Sequence, residues 1–536
     1  MATLNSKIIL AKGINMDKDY VNVLSYSTND ILTLLNQNTH YVNSSETFSF
    51  IGGKNTKVIS TPFTYEQCLQ ANYIAFQNPS YSNKWFFAWI RKVTFKSPGT
   101  TQIEFEIDVW STWWEDWTVK ACFVKREHTN DDTIGKNTVP ENLDIGEVEM
   151  ESYDEFLSAY NNPNNYYFCI NTTYDPVAEK ELDGVTKING NLSGNYVFCF
   201  DVYSGSVGVT DVTNFIYKTA QDGKINAINE LYVLPKDLID NIGTTPKNYT
   251  ATTGSFESKL LNDSDSAVTL ASPFNKTHSF SNYTPRNNKV FCYPYNYLLL
   301  SNNCGNINIY KYENFEQANP MFEIEMCVSV GGSIRIVPRG YKKIDYNYDE
   351  SLPLAKFPTC SWSCDAFTNW LTQNAVNVVT DIVGGIAGIV AGASAGGSVS
   401  SLALSGAGTS AGIIGQFRQA ILQPNIKGGN NTGDVNFSVR KNSFMLYHMR
   451  AKIEYLKIID DYFYRYGYAV NRVYVPNIRG RQNFNYVEIG SSEEIGTGNV
   501  PVEFMETINS ACRRGVTIWH NHENMGNFSV SNNIVQ

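Results

Sequence analysis

No phosphate-binding loop and no HExxH helix occurs in this 536-residue sequence. Their absence removes the commonest signatures of nucleotide-driven and zinc-hydrolase chemistry. The ten cysteines are dispersed, and only Cys360 and Cys364, in CSWSC, lie close together. No spacing fits a zinc or thiol-redox template, so this pair reads as two buried thiols and the usage suits synthesis in a reducing cytoplasm. Positive charge is in deficit: 42 Lys and Arg against 52 Asp and Glu leave a net charge of −10. That argues against a protein that grips nucleic acid through its phosphates, and it suits a surface past which nucleic acid slides. The N-terminus has only a four-residue apolar patch before charge returns, which does not read as a secretory signal.

Tyrosine and phenylalanine are plentiful, at 33 and 29 residues. With frequent Asn and Gly turns they favour sheet, so the expected fold class is mainly β with some helices (α+β). The length allows roughly three or four domains. Composition divides the chain into 1–150, a turn-rich polar insertion at 151–290, a return to strand pattern at 291–373, an apolar stretch at 374–417 and a mixed α/β end at 418–536.

Strand periodicity is clear in Gln102–Trp110, where Ile103, Phe105, Ile107 and Val109 share one face. Glu104, Glu106 and Asp108 share the other, either as a solvated strand face or as an acidic wall along a passage for DNA. Trp110, Trp113, Trp114 and Trp117 follow at once and read as packed core. A short helix is expected in Thr61–Asn72, with Tyr65, Leu69 and Tyr73 at helical spacing. Further strands are expected at Tyr196–Tyr203, Lys289–Leu300, Val473–Ile478, Asn485–Glu488 and Gly515–His520. A hairpin is expected across Phe322–Val337, turning at Gly331-Gly332. Amphipathic helices are expected at Asp365–Val379, Val502–Cys512 and Ser443–Arg465, the last burying Leu446, Met449, Ile453, Leu456 and Ile459.

Ile382–Phe417 is the anomaly: 36 residues, IVGGIAGIVAGASAGGSVSSLALSGAGTSAGIIGQF, without one charge. Gly384, Gly388, Gly392 and Gly396 recur every four residues, and Gly408 and Gly412 repeat the spacing. On a helix they make a smooth stripe that lets another backbone approach. The polar cluster Ser394–Ser401 marks a bend between two arms. Each arm of about 18 residues is about 27 Å long, just short of a hydrocarbon core of about 30 Å. Ile382, Val383, Ile386, Ile389, Val390, Val399, Leu402, Leu404, Ile413, Ile414 and Phe417 are the candidate membrane-inserting side chains. Gly, Ser and Ala dilute them, so insertion by the secretory machinery would be marginal. The competing reading is a glycine-rich loop or a buried helix pair.

Catalytic or metal chemistry finds little support. His128 lies near Glu127, Asp131 and Asp132 in KREHTNDDT, and His520, His522 and Glu523 fall in WHNHE. A hydrogen-bonded turn explains the first group, and the second lacks a third ligand nearby in sequence. No catalytic residue, metal or cofactor is expected.

The blocks QIEFEIDVWSTWW and CFVKREHTNDDTIGKNTVPENLDIGE resemble the N-terminal signature of the tail knob proteins of small short-tailed phages of Gram-positive bacteria. PRNNKVFCYPYNYLLLSNNCG (Pro285–Gly305), Asp461–Val487 and GVTIWHN (Gly515–Asn521) are similar to that family's middle and C-terminal blocks. Only about 151–280 matches no motif. The resemblance implies β-barrel-type tail-tube domains from both ends of the chain. It also implies a homo-hexameric tube at the distal end of the virion tail, through which double-stranded DNA passes without sequence-specific binding. Other tail proteins of the collar, connector and tip would be its neighbours. The apolar loop at about 374–417 would plug the tube, then enter the host cytoplasmic membrane and help form a pore. Two other readings compete. One is an adhesin whose 151–290 loops contact cell-wall glycopolymer. The other is a tail-tip peptidoglycan hydrolase, for which Glu127, Asp131 and Asp132 are the nominees.

Overall fold

The fold is that of a computed structural model. It describes residues 6–341, 360–363 and 441–535, apart from 47, 54–55, 79–81, 161–165, 202–206, 253, 278–279, 281–282, 302–306 and 327–332. The chain divides into two units, each assembled from separate stretches. The first comprises residues 1–144, 285–289 and 457–536, and the second 145–284 and 290–456.

The first unit holds a seven-stranded antiparallel sheet. Its order is Tyr41–Ser45, Ile8–Ala11, Tyr73–Asn78, Lys84–Ser97, Thr100–Ile107, Thr56–Thr61 and Ser49–Gly53. A five-stranded sheet runs Asn22–Leu24, Val516–Trp519, Phe484–Ile489, Cys122–Glu127 and Tyr468–Tyr474. There the first strand lies parallel to Val516–Trp519, so the two ends of the chain share one sheet. Neither sheet, nor any other among the described residues, closes on itself. The fold is mainly β with helices as expected, but the sheets are open rather than closed barrels.

The tryptophan cluster makes the core of this unit. Trp110, Trp113, Trp114 and Trp117 are all buried, Trp110 stacks on Trp114 at 5.4 Å, and its indole N–H donates to the Leu24 carbonyl at 3.1 Å. Ile103, Phe105 and Ile107 point inward from the Thr100–Ile107 strand, as their alternation requires. The helix expected in Thr61–Asn72 is shorter, Tyr65–Gln70, and is started by a capping box between Thr64 and Gln67. Its buried residue is Cys68; Leu69 is exposed and Tyr73 belongs to the next strand. Strands Phe484–Ile489 and Val516–Trp519 and the helix Val502–Arg514 fall where periodicity placed them. The strand expected at Val473–Ile478 ends instead at Tyr474, with Val473 and Val475 exposed.

In the second unit, a four-stranded sheet runs Val148–Tyr160, Lys441–Ala451, Asn296–Ser301 and Ile307–Tyr310. A five-stranded sheet runs Ile228–Pro235, Tyr166–Thr172, Tyr196–Phe200, Lys259–Leu261 and Thr244–Pro246. Another four-stranded sheet pairs Met321–Met326 with Ser333–Arg339, the expected hairpin strands, between Val268–Ala271 and Cys360–Ser363. The Gly331-Gly332 turn itself lies outside the described residues, as does the helix expected at Asp365–Val379. Lys289–Leu300 is not one strand: a 3-10 turn, Asn288–Phe291, and a cis Tyr293–Pro294 bond precede the strand at Asn296.

Two helical expectations are corrected. Ser443–Arg465 is a strand, Lys441–Ala451, followed by a helix, Ile453–Tyr466. The inward face of that strand is Leu446, His448 and Arg450, and two polar residues on the buried side hide the alternation from a hydrophobic count. The polar insertion also contains a 15-residue helix, Val207–Gln221, that its β-branched start, VGVTDVT, disguises. Phe215 on that helix packs on Phe198, Phe200 and Phe256.

Candidate functional site

The acidic face of the Thr100–Ile107 strand survives for two of its three residues. Glu104 is exposed, and Glu106 is half-exposed and ion-paired with Arg91 of the neighbouring strand. Lys92 stands opposite Glu104 in the ladder, so the face carries both signs. Asp108 does not belong to it. The strand ends at Ile107, and Asp108 caps the helix Val109–Trp113, accepting from Ser111 N–H at 3.1 Å and from the Tyr73 hydroxyl at 2.7 Å. It is 2% exposed, and burial raises its pKa above the usual carboxylate value, partly offset by these bonds.

The residues named as membrane-inserting, Ile382 to Phe417, and the glycines Gly384 to Gly412 lie outside the described residues. Among the described residues, no helix is long and apolar enough to cross a membrane.

The first unit brings three of the motif blocks together around the KREHTNDDT turn. Glu127 ends the Cys122–Glu127 strand with its carboxylate buried, accepting from Tyr474 O–H at 2.5 Å and Asn477 N–H at 2.7 Å. Burial pushes its pKa up to about 7 against the pull of those two bonds. His128 Nδ1 accepts from Tyr486 N–H at 2.8 Å, so Nε2 carries the proton and donates to the Tyr464 carbonyl at 3.0 Å. Burial, with Arg481 next, lowers its pKa to about 3, so the ring is neutral. Both ring nitrogens are occupied, and neither is offered to a metal. Gly467 fits only as glycine: its φ is +65°, and a Cβ there would lie 2.0 Å from the Glu127 carbonyl oxygen.

Beside it, the Pro285–Lys289 stretch is tied down at every polar residue. Asp460, fully buried, accepts from Arg286 N–H, Asn287 N–H and the Asn287 amide at 2.8–3.1 Å. Asp132 takes the Tyr468 hydroxyl, and the Asn288 amide donates to its carbonyl at 2.7 Å. Glu141 is shared by Arg126 and by Lys289, the latter at 2.6 Å, and accepts from Ala469 N–H at 2.8 Å. Burial alone would raise the Glu141 pKa, but the two cations outweigh it and hold it below the usual range. A cleft of about 480 Å³ opens among His128, Asp132, Arg286, Asn287, Tyr464, Arg481 and the C-terminal segment.

This arrangement locks a turn and positions no nucleophile. Glu127 and Asp132 are spent on hydroxyl and amide partners, and exposed Asp131 pairs with Lys136 at 3.2 Å. His520 and His522 likewise do not form a pair. The strand ends at Trp519, His520 sits between Ser25 and Asn485, and His522 packs edge-on against His40. Among the described residues, no three His, Cys, Asp or Glu side chains cluster as a metal site. Sequence reasoning missed Asp460, Glu141, Lys289 and Arg481. For Glu141, Lys289 and Arg481 the only signal was membership of the blocks whose likeness to a family had been noticed, and Asp460 lies one residue before the block that starts at Asp461.

Comparisons with known proteins extend that likeness. The family described as "Bacillus phage phi29, Tail knob protein gp9, C-terminal domain" matches residues 256–533, more than half of the chain. The family "Caudoviral major tail protein N-terminus" matches residues 4–118. Tail knob protein gp9 of Bacillus phage phi29 is 26% identical over 568 aligned residues, covering 91% of either chain. Its counterpart in Bacillus phage PZA is 25% identical, with 90% of either chain covered. Among solved structures, the tail knob protein gp12 of bacteriophage C1 superposes with a TM-score of 0.60 at 13% identity, over 99% of this chain and 100% of that one. That last likeness is one of fold.

Proposed function

Since the chain belongs to the family of phage tail knob proteins typified by gp9 of Bacillus phage phi29, and is accordingly a structural component of a virion tail, we propose that it forms a conduit for genome delivery and carries its own membrane-penetrating segment. Copies of the chain, six by family resemblance, would enclose a passage for double-stranded DNA and adjoin other tail proteins. The domains at 1–150, 291–373 and 418–536 would build the tube wall, with 151–290 inserted between them. The net charge of −10 and the exposed Glu104 suit a wall that does not hold DNA back.

One observation carries the membrane role: the uncharged run Ile382–Phe417 in an otherwise polar chain. A Leu-rich span would be captured by the membranes of the cell that makes it. A glycine-diluted run tolerates storage in a protein interior and still gains from lipid when released. In this reading the segment seals the tube before infection and enters the host cytoplasmic membrane as two arms. Virions lacking residues 382–417 are expected to assemble tails. They should neither deliver DNA into cells nor make liposomes leak. Normal delivery and leakage from that deletion would overturn the proposal.

A further inference from the structure

Cys169 and Cys199 stand directly opposite each other on antiparallel neighbours, the second and third strands of the five-stranded sheet in the second unit. Their sulfurs are 3.6 Å apart, both residues are buried, and both belong to the same apolar core. The contact is between thiols, since neither cysteine is held in a disulfide. Side chains opposite each other on adjacent antiparallel strands share one face of the sheet, with Cβ atoms about 4.5–5.5 Å apart, only slightly wider than a disulfide's usual span. Closing the remaining gap takes rotation of the two sulfurs and a slight approach of the two strands.

We propose that Cys169 and Cys199 are a latent disulfide, reduced while the chain folds in the host cytoplasm and oxidised once the virion is outside the cell. The proposal rests on the tail location alone and is independent of the pore reading. The two thiols lose two protons and two electrons to dissolved dioxygen. One sulfur–sulfur bond forms, two sulfur–hydrogen bonds break, and dioxygen leaves as hydrogen peroxide. Compartment decides the outcome, because cytosolic thiol pools keep such pairs reduced and the medium around a virion does not. Burial makes the reaction slow, as the oxidant reaches the pair only when the strands open locally. It also makes the product hard to reduce in the folded protein.

The bridge would join strands Tyr166–Thr172 and Tyr196–Phe200, closing a loop of 30 positions. It would fix their register against sliding and raise the melting temperature by about 5 °C. To test it, virions are collected from cells before lysis and, separately, after release and aeration. Each sample is denatured in N-ethylmaleimide and digested for peptide mass mapping. Before lysis, Cys169 and Cys199 should both be alkylated. After release, a linked Cys169–Cys199 peptide should appear, while Cys68 and Cys292 remain alkylated. Full alkylation of Cys169 and Cys199 in aerated virions would overturn the proposal. As a second measure, particles carrying Cys169→Ser with Cys199→Ser should lose any difference in melting temperature between samples taken before lysis and aerated samples. A difference that persists in the double variant would equally overturn it.

Discussion

Glu127 and His128 are adjacent, both are buried, and burial moves their proton affinities in opposite directions. The carboxylate has a folded pKa of about 7, above its unfolded value, so the folded state binds the extra proton between roughly pH 4.5 and 7. Its contribution to stability is present at low pH and is lost as pH rises through that window. The imidazole has a folded pKa of about 3, below its unfolded value, so its contribution is present above roughly pH 6.5 and is lost as pH falls. Where the windows overlap the two slopes oppose each other. Removing one should expose the other. Glu127→Gln is expected to make stability rise with pH between 5 and 7 by about 2–3 kcal/mol more than in the parent chain, as measured by urea unfolding at each pH. The sequence displayed both residues, but it could not say which was neutral, because that depends on Tyr474, Tyr486 and Arg481, each more than 340 positions away. Asp108 teaches the same lesson. Alternation placed it on the acidic face, and the helix that starts one residue later turned it into a buried cap.

Elements with one uniform period were legible, and elements that bury polar groups were not. The Thr100–Ile107 strand buries Ile103, Phe105 and Ile107 at alternate positions, and the Val502–Arg514 helix buries Ile508, Ala511 and Cys512 with one polar neighbour, Asn509. The Lys441–Ala451 strand buries His448 on Asn296 at 2.7 Å and Arg450 against Glu149 and Glu151 at 2.6 and 3.0 Å. Those partners come from two other strands, so the alternation exists only after pairing. The burial of the tryptophan cluster is the opposite case, since four large rings so close together leave little alternative to a core, although the helix Val109–Trp113 that carries two of them falls where alternation predicts the end of a strand. Trp110 is 1% exposed and touches Trp114 and Trp117 at ring distances of 5.4 and 5.9 Å. Trp110→Ala should therefore cost about 3–5 kcal/mol, read as a shift of the urea midpoint without loss of slope. A cost under 1 kcal/mol would mean that the cluster is not the core of this unit.

Across the whole molecule, the family was legible in long blocks of residues, whereas the division into units was not. Composition shifts along the chain mark segments, but the first unit gathers three stretches of sequence and the second gathers two. No local signal announces that residues 285–289 belong with the chain ends; their bonds to Asp460, Asp132 and Glu141 do so. A chain stopped after Gly515 lacks the Val516–Trp519 strand. Brief proteolysis should degrade its first unit while the second unit's strands, such as Val148–Tyr160 and Tyr166–Thr172, survive, as read by mass spectrometry. Equal survival of both units would show that the strand is dispensable.

The parallel pairing of Asn22–Leu24 with Val516–Trp519 also sets a timetable for synthesis. Ser25 and His520 bond across 495 positions, so the early strand leaves the ribosome long before its partner is translated. At about 5–20 residues per second the wait is of the order of half a minute or more. Throughout it, a half-built sheet edge is open to the wrong neighbour. A nascent chain of this design is most vulnerable to aggregation while its middle is being made, and its first unit becomes safe only once Val516–Trp519 has been made.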